Sequence, residues 1–485
     1  LPGFLGLDVG TQGVRAIWSD DRGQVVAEAS AQFGGEVAVG GLPDGWFEQH
    51  PKVWWDTCVD VIRQTVQSAR RKTSDELTAI AVDSTSGTVV PIDTNGRPLR
   101  PAIMYSDTRA NAEASECNES GKTFCDELGY KFGASFGLPK TLWIARNEPA
   151  VWERTWKIIH ASDYIVGRLC GEYGVSDNSN ALKTGCDLRD NTWPRFIADA
   201  LGIPSDRLPD LVSPGEPIGK ISRRCSEQTG LTAGTLVVGG VSDGTAGFLA
   251  SGATEVGEWN STLGTTLVVR GVSESLIRDP RGRIYCHRHP DGHWLPGGAA
   301  NVGGECLTVK FRGADYAALD SAALGLVPTS LFVYPLVRRG ERLPFVDESA
   351  EGFVDGNAFT CDELYAAHLE GVAFMERWCY ELMEELGARV GDTIHTTGGG
   401  ARSIQWMTIR ASVLGREVIR PSITEPAMGA ALVAASRTRF DSLAEATRNM
   451  ITLSASAEPE RNLRERMDEK YVTFRQIMAR MGYPG

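Results

Sequence analysis

Long apolar runs are missing from this chain of 485 residues. No stretch approaches the roughly 20 residues that cross a bilayer, and no charged segment followed by an apolar one opens it. Neither a membrane span nor a secretory leader is expected. A surplus of positive charge is missing too, since 49 Lys and Arg stand against 62 Asp and Glu for a net charge of −13. Proteins that grip nucleic acid or anionic membrane carry a basic footprint, so neither partner is expected. Paired cysteines are absent: the 10 cysteines fall singly, with no Cys-x-x-Cys, which suits a reducing compartment and points to the cytoplasm. The 54 glycines form neither a Gly-x-y period nor a Gly/Ser tract. The surplus therefore belongs at turns and where backbone approaches a ligand closely. At roughly 100–200 residues per domain, the length suggests two or three domains.

What is present begins with the glycines. Phe4-Leu5-Gly6-Leu7-Asp8-Val9 is an apolar strand that runs into Gly10-Thr11-Gln12-Gly13, and two further strands follow, the third over 24–29. This reads as an antiparallel meander. The first turn can bring backbone N–H groups to an anion, with Thr11 and Gln12 adding side-chain donors. Asp8 would sit beside that anion, which makes sense if a divalent cation bridges them; an ordinary hairpin with a turn aspartate reads equally well. The device recurs at 257–270, where Ser261-Thr262-Leu263 turns through Gly264-Thr265-Thr266 into a second apolar stretch. Two such hairpins suggest an internal duplication and a nucleotide polyphosphate as ligand. A third cluster, Gly398-Gly399-Gly400-Ala401-Arg402-Ser403, follows a strand and opens a helix, the general grammar of nucleotide binding. It is neither Gly-x-Gly-x-x-Gly nor a lysine-bearing phosphate loop. A fourth, Gly297-Gly298 through Gly303-Gly304, precedes another helical stretch.

Helical periodicity marks 51–70, 362–386, 427–435 and 461–481, and strands alternate with helices in both halves, so the class is α/β. The boundary is expected near 235–241. Asp243 follows the apolar strand ending at Val241 and precedes Gly244-Thr245-Ala246-Gly247. A carboxylate there is either a base aimed at a cleft or a helix N-cap. Cys286-His287-Arg288-His289 and His293 do not match zinc spacings, and Pro290-Asp291-Gly292 reads as a turn, so these histidines are expected to be exposed hairpin residues.

Taken together, these motifs resemble the FGGY carbohydrate kinases of the sugar kinase/Hsp70/actin superfamily, over essentially the whole chain. Gly6-Leu7-Asp8-Val9-Gly10-Thr11 and Thr262-Leu263-Gly264-Thr265-Thr266 look like the two phosphate motifs, and Val241-Ser242-Asp243 looks like the catalytic-base segment. Gly398 to Ser403 with Trp406 looks like the adenosine segment. Trp46-Phe47-Glu48-Gln49-His50-Pro51, Tyr105-Ser106-Asp107-Thr108-Arg109 and Asn180-Ala181-Leu182-Lys183 also fit. Thr141, Gly137 and Ser412 depart from the usual residue types, away from the implied chemistry.

The resemblance implies two ribonuclease H-like domains around a central cleft, 1–240 with the sugar site and first phosphate motif, 241–485 with the second phosphate and adenosine motifs. Asp243 would be the catalytic base. Asp8, Ser84, Thr85, Ser86, Asp107 and Asp243 would bind the sugar. Gly10, Thr11, Gln12, Gly264, Thr265, Thr266, Gly303, Gly399, Gly400, Ala401 and Ser403 would bind ATP, and Asp8 would hold Mg²⁺. A homodimer is left open. Xylulokinases carry a Met-His pair and glycerol kinases Asn-Gln-Arg-Glu where this chain has Ser84-Thr85-Ser86-Gly87-Thr88. The short hydroxyl form looks like the D-ribulose kinase group, so D-ribulose is favoured over D-xylulose. An actin-fold ATPase that phosphorylates no metabolite is the reading from another class.

Overall fold

Phe4, Leu5, Leu7 and Val9 are buried together, as a strand covered on both faces requires. In the computed structural model, which describes residues 2–484, they lie on the strand Gly3–Val9. It pairs antiparallel with Gly13–Asp20, which pairs antiparallel with Val25–Gln32, the meander the sequence leads one to expect. Along its other edge Gly3–Val9 runs parallel to Leu77–Ser84, with Asp8 level with Asp83. Leu236–Val238 and Val241–Ser242 both run parallel to Leu77–Ser84, so three strand ends carrying Asp8, Asp83 and Ser242 finish on one side of the sheet. The helix Pro51–Lys72 starts with proline at its first position and buries Trp54, Trp55, Cys58, Val61, Ile62 and Val66. Each such aliphatic side chain contributes about 1.5–3 kcal/mol on full burial.

The chain divides into two units. The first comprises the residues up to Ala250 with His287–Gly292 and Glu425–Ile451; the second comprises Ser251–Cys286, His293–Thr424 and the residues from Thr452. The division differs from the one expected at 240/241. Val241–Ser242 is hydrogen-bonded into the first sheet and continues directly into the helix Asp243–Leu249, which places Asp243 in the first unit.

The returning helix Pro426–Ser436 belongs with the first unit for a steric reason. A Cβ on Gly6 would stand 1.7 Å from the Ala427 carbonyl oxygen, and one on Gly429 would stand 1.9 Å from that of Ala246. Glycine at these two places lets the helix touch both the first strand and the helix Asp243–Leu249, backbone to backbone. The elements that carry Asp8 and Asp243 are thereby fixed against one common support.

The second unit repeats the arrangement. Trp259–Leu263 pairs antiparallel with Leu267–Gly271 and parallel with Thr393–Thr397, which runs parallel to Glu417–Pro421. Trp294–Ala300 and Leu453–Ala457 extend this sheet. The helix Cys361–Glu385 is buried along most of its length, and its Glu376 accepts two hydrogen bonds of 2.7 Å from Arg410 on the helix Ile404–Leu414. Among the described residues no helix is long and apolar enough to cross a membrane.

One expectation about the histidines fails. His287 and His289 are buried, not exposed. Their turn is drawn in because the Asp291 carboxylate accepts the Leu443 and Ala444 N–H groups at the start of the helix Leu443–Met450, at 2.9 and 3.0 Å. Asp291 N–H in turn donates to His289 Nδ1 at 3.1 Å.

Candidate active site

In the first unit, four carboxylates gather where the parallel strands end. Asp8 is half-buried, Asp83 is fully buried, and Asp177 and Asp243 lie close enough to act on them electrostatically. Among the described residues no N–H group reaches either oxygen of Asp83, whose polar neighbour is the Asp8 carboxyl. Burial pushes Asp83 well above the ordinary carboxylate range, and the charge and hydrogen bond of Asp8 add to it. Burial, with help from the Asp243 charge, lifts Asp8 to about 6 against the opposing pull of Asp83 and Arg15. Of the two, Asp83 is the carboxyl whose protonated form burial favours more. Burial likewise raises Asp177 to about 6.

Folding raises the proton affinity of Asp83, so its stabilising contribution is complete at low pH and is lost as pH rises toward its folded pKa. Asp83→Asn keeps the shape, supplies an N–H donor to Asp8 and removes that loss. The variant is expected to melt above the parent at about pH 8, the gap narrowing at about pH 5 and closing only near the ordinary carboxylate pKa of about 4. Thermal unfolding at both values checks this; a variant that melts lower at the higher pH contradicts it.

Asp243 opens the helix Asp243–Leu249 in its first turn, with Ser242 as the N-cap residue, so it is not the cap itself. Its Oδ1 accepts the Gly244 N–H at 2.6 Å. The first phosphate-type turn is braced from behind. Gly10 N–H donates to the Gly13 carbonyl at 3.0 Å, Gln49 Nε2 donates to the Thr11 carbonyl at 3.0 Å, and Trp54 Nε1 fixes Gln49 at 2.7 Å. Gln12 is exposed.

The hydroxyl loop divides its groups. Ser84 Oγ accepts the Ser162 N–H at 2.9 Å, Thr85 and Thr88 hydroxyls meet at 3.2 Å, and the Ser86 hydroxyl has no partner among the described residues. Lys183 Nζ donates to the Ser86 carbonyl at 3.3 Å, and the buried Lys140 Nζ to that of Gly87 at 3.2 Å. Gly87 takes φ +89°, and a Cβ there would lie 2.3 Å from the Ser135 carbonyl oxygen, so this tight loop needs glycine. Asp107 is buried and committed: it accepts the Phe47 N–H at 2.7 Å and holds Arg109 Nε and Nη2 at 2.9 and 2.7 Å. Arg109 also pairs with Glu48 at 2.8 Å and stacks 3.7 Å from the Trp46 ring. The Trp46 and Asp107 segments therefore form one locked assembly.

Whether a cation fits is decided by the donor set. Among the described residues, no three His, Cys, Asp or Glu side chains form a ready cage. Asp8 offers a half-buried carboxylate, while Asp83 behind it is fully buried and favours its protonated form. Mg²⁺ commonly binds through one or two carboxylates together with substrate phosphates and water, so Asp8 fits an ion that arrives with a nucleotide.

In the second unit, a pocket of about 490 Å³ opens at the second phosphate-type turn. Gly264, Thr265, Gly399, Gly400 and Ser403 line it, as expected from the sequence. Thr266, Gly303 and Ala401 stand behind the lining. Gly303 is packed so that a Cβ would meet Thr265 and Thr266 backbone at 2.5 Å, while the Ala401 carbonyl accepts Arg420 Nη1 at 2.9 Å. Gly264 and Thr265 carbonyls accept the Gly304 and Glu305 N–H groups at 2.8 and 3.2 Å, which ties the turn to the helix Glu305–Lys310. Ser403 caps the helix Ile404–Leu414 by accepting the Trp406 N–H. Leu263, Leu307, Tyr316 and Trp406 supply an apolar wall for a flat ring, with Asp320 and Tyr365 joined at 2.7 Å beside it.

Sequence reasoning overlooked Asp83, although it shares the signal that singled out Asp8: a carboxylate closing an apolar strand. Leu307, Tyr316 and Asp320 carried no such signal, because ordinary helical residues line a pocket only once the chain is folded.

Residues 4–250 match the description "FGGY family of carbohydrate kinases, N-terminal domain", and residues 260–437 match the C-terminal domain of that family. The xylulose kinase of Bacillus subtilis (strain 168) is 27% identical over 476 residues, 94% of this chain and 92% of that protein. The gluconokinase of the same strain is 28% identical over 444 residues, 87% of this chain and 85% of that one. The crystal structure of xylulose kinase from Rhodospirillum rubrum superposes with a TM-score of 0.86 at 28% identity, covering 99% of each chain.

Proposed function

Since the chain belongs to the FGGY family of carbohydrate kinases, ATP-dependent phosphotransferases, we propose that it passes the γ-phosphoryl group of ATP to a hydroxyl of a ketopentose, D-ribulose by preference. The observation that carries the reading is the acidic group at the strand ends, with Asp243 beside Asp8 and Asp83.

Asp243 accepts the proton of the attacking sugar hydroxyl. Its Oδ1 is oriented by the Gly244 N–H, and its helix is held by the glycine contact to Pro426–Ser436. Phosphoryl transfer through a loose transition state asks mainly for positioning and charge stabilisation, so an ordinary carboxylate suffices as base. Asp8 would hold Mg²⁺, which neutralises charge on the phosphates when bound. In each unit the turn would supply donors to the charge that develops on phosphate oxygens, Thr11 and Gln12 in the first and Thr265 and Thr266 in the second, since the Gly10 and Gly264 N–H groups are spent within their own turns. The adenine lies along the apolar wall at Leu307 and Trp406, and Gly399 leaves room for it: nothing lies within 4 Å of where its Cβ would be.

The sugar is read by the loop at 84–88. The free Ser86 hydroxyl donates and accepts toward a polyol, and the loop adds no bulky or ionised side chain of its own. D-Xylulose is the second reading, favoured by the similarity to the Bacillus subtilis xylulose kinase. ADP release measured over D-ribulose, D-xylulose, gluconate and glycerol, each product verified as a phosphate ester, separates these readings. The highest kcat/KM is expected on D-ribulose, then D-xylulose. Turnover of glycerol alone, or hydrolysis independent of any sugar, sinks the ketopentose reading.

A further inference from the structure

Many arginines in this acidic chain pair with carboxylates, as Arg109 does with Glu48, Arg146 with Glu116 and Arg410 with Glu376. Several in the first unit do not, and three of these meet at one pocket. Arg97, Arg168 and Arg224 make no ion pair among the described residues, and all three line one pocket of about 390 Å³ whose wall contains no Asp or Glu. The nearby Asp93 carboxylate is occupied by the N–H groups of Asn95 and Arg97 at 2.8 and 2.9 Å.

The pocket has a built wall. The Tyr173 ring lies against Gly96 and Gly167 so closely that a Cβ would stand 2.6 Å from it at the first and 2.3 Å at the second. Arg168 is oriented before any ligand arrives: its guanidinium stacks 4.9 Å from the Trp55 ring and donates from Nη1 to the buried Tyr164 hydroxyl at 3.3 Å. A guanidinium has five N–H donors, so most of those on Arg168 remain for a ligand. Arg97 and Arg224 are exposed and come from separate segments, and Asn95, Ser222 and Gln228 add neutral polar groups.

We propose that this pocket is an anion site, apart from the catalytic one, that takes the phosphate monoester of a small polyol or sugar. Three guanidinium groups that form no ion pair, although the Arg97 N–H and charge do help to lower the pKa of Asp93, suit a dianionic phosphate, which planar Arg donors recognise in bidentate fashion. The neutral polar groups suit hydroxyls, the tyrosine face suits a carbon skeleton, and the volume falls in the range of small-molecule sites, about 300–1,000 Å³. A nucleotide fits less well, since the aromatic slot that a base needs lies in the other unit's pocket. The helix Ala161–Cys170 carries Tyr164, Gly167 and Arg168 into this pocket, and at its other end the Ser162 N–H holds Ser84 Oγ of the sugar loop. A ligand here acts on the element that positions that loop, so occupancy is read in the KM for sugar.

The test uses the full chain, with glucose 6-phosphate as probe and glucose as its uncharged counterpart, by titration calorimetry. Binding of the phosphate ester is expected, and the double variant Arg97→Glu, Arg224→Glu is expected to weaken it about tenfold or more, the cost of losing charge-assisted hydrogen bonds. Its thermal midpoint and its kcat without the ester should match the parent, because both side chains are exposed and touch no catalytic group. Charge reversal of the exposed Arg466 should leave binding unchanged. Absence of binding, glucose binding as tightly as its phosphate, or equal weakening by Arg466→Glu each overturns the proposal.

Discussion

Replacing Asp243 with asparagine is expected to lower kcat about 10³-fold, within the 10²–10⁴ that a positioned general base contributes. Asparagine is isosteric and its Oδ1 can still accept the Gly244 N–H at 2.6 Å, so the helix start persists while the basic oxygen is lost. ATP affinity, measured by equilibrium binding, should stay within about twofold, since the nucleotide wall belongs to other residues and an unrelated contact set adds independently. Asp243→Ala should abolish turnover in the same way. Full turnover by either variant would remove the base assignment.

A valine at Gly429 is expected to be the most damaging single change to the fold. Its Cβ would stand 1.9 Å from the Ala246 carbonyl oxygen. Overpacking costs about 1–3 kcal/mol where side chains can give way, and here the obstacle is backbone, so a loss above about 3 kcal/mol is expected. That is a large share of a typical domain's stability, roughly 5–15 kcal/mol. Urea unfolding should show a lower midpoint, or the variant should fail to accumulate in soluble form. The same substitution at Gly399 meets open space and should leave the midpoint unchanged. It should instead raise the KM for ATP about tenfold, equivalent to roughly 1.4 kcal/mol. A stable Gly429→Val protein, or a Gly399→Val protein with unaltered ATP dependence, would contradict the packing account.

The contrast between these two glycines shows which parts of the molecule could be read from its residues. Gly264-Thr265 and Gly399-Gly400 were legible because turn chemistry is local: these residues of the turns are the ones that face the pocket. The meander at 3–32 and the long helices were legible for the same reason, their periods being properties of short windows. Gly6 and Gly429 were not, because each is demanded by a neighbour far along the chain. The return of Pro426–Ser436 to the first unit, and with it the true extent of that unit, is a consequence of those two contacts. His287 and His289 were misread because the pull on their turn comes from the helix start at Leu443, which no local pattern announces. The family resemblance implies that Asp107 binds sugar, yet Arg109 and the Phe47 N–H already occupy its carboxylate. What the geometry gives it is the task of holding Arg109 in place against Trp46.

The acidic balance of the chain also takes on a more specific meaning. Carboxylates concentrate where the strands end, and burial together with the charges of Asp8, Asp243 and Asp177 raises the proton affinity of Asp83. Phosphate binding can then rely on backbone N–H groups and a cation instead of a basic surface.

The central proposal is that Asp243 takes the proton of a ketopentose hydroxyl as that oxygen attacks the γ-phosphoryl group of ATP. Mass analysis of the products from D-ribulose and ATP with Mg²⁺, for the parent and for Asp243→Asn, tests it most directly. One pentulose phosphate formed for each ADP by the parent, and almost none by the variant, is the predicted result. ADP released without a sugar phosphate, or the ester formed as fast by the variant, would contradict it.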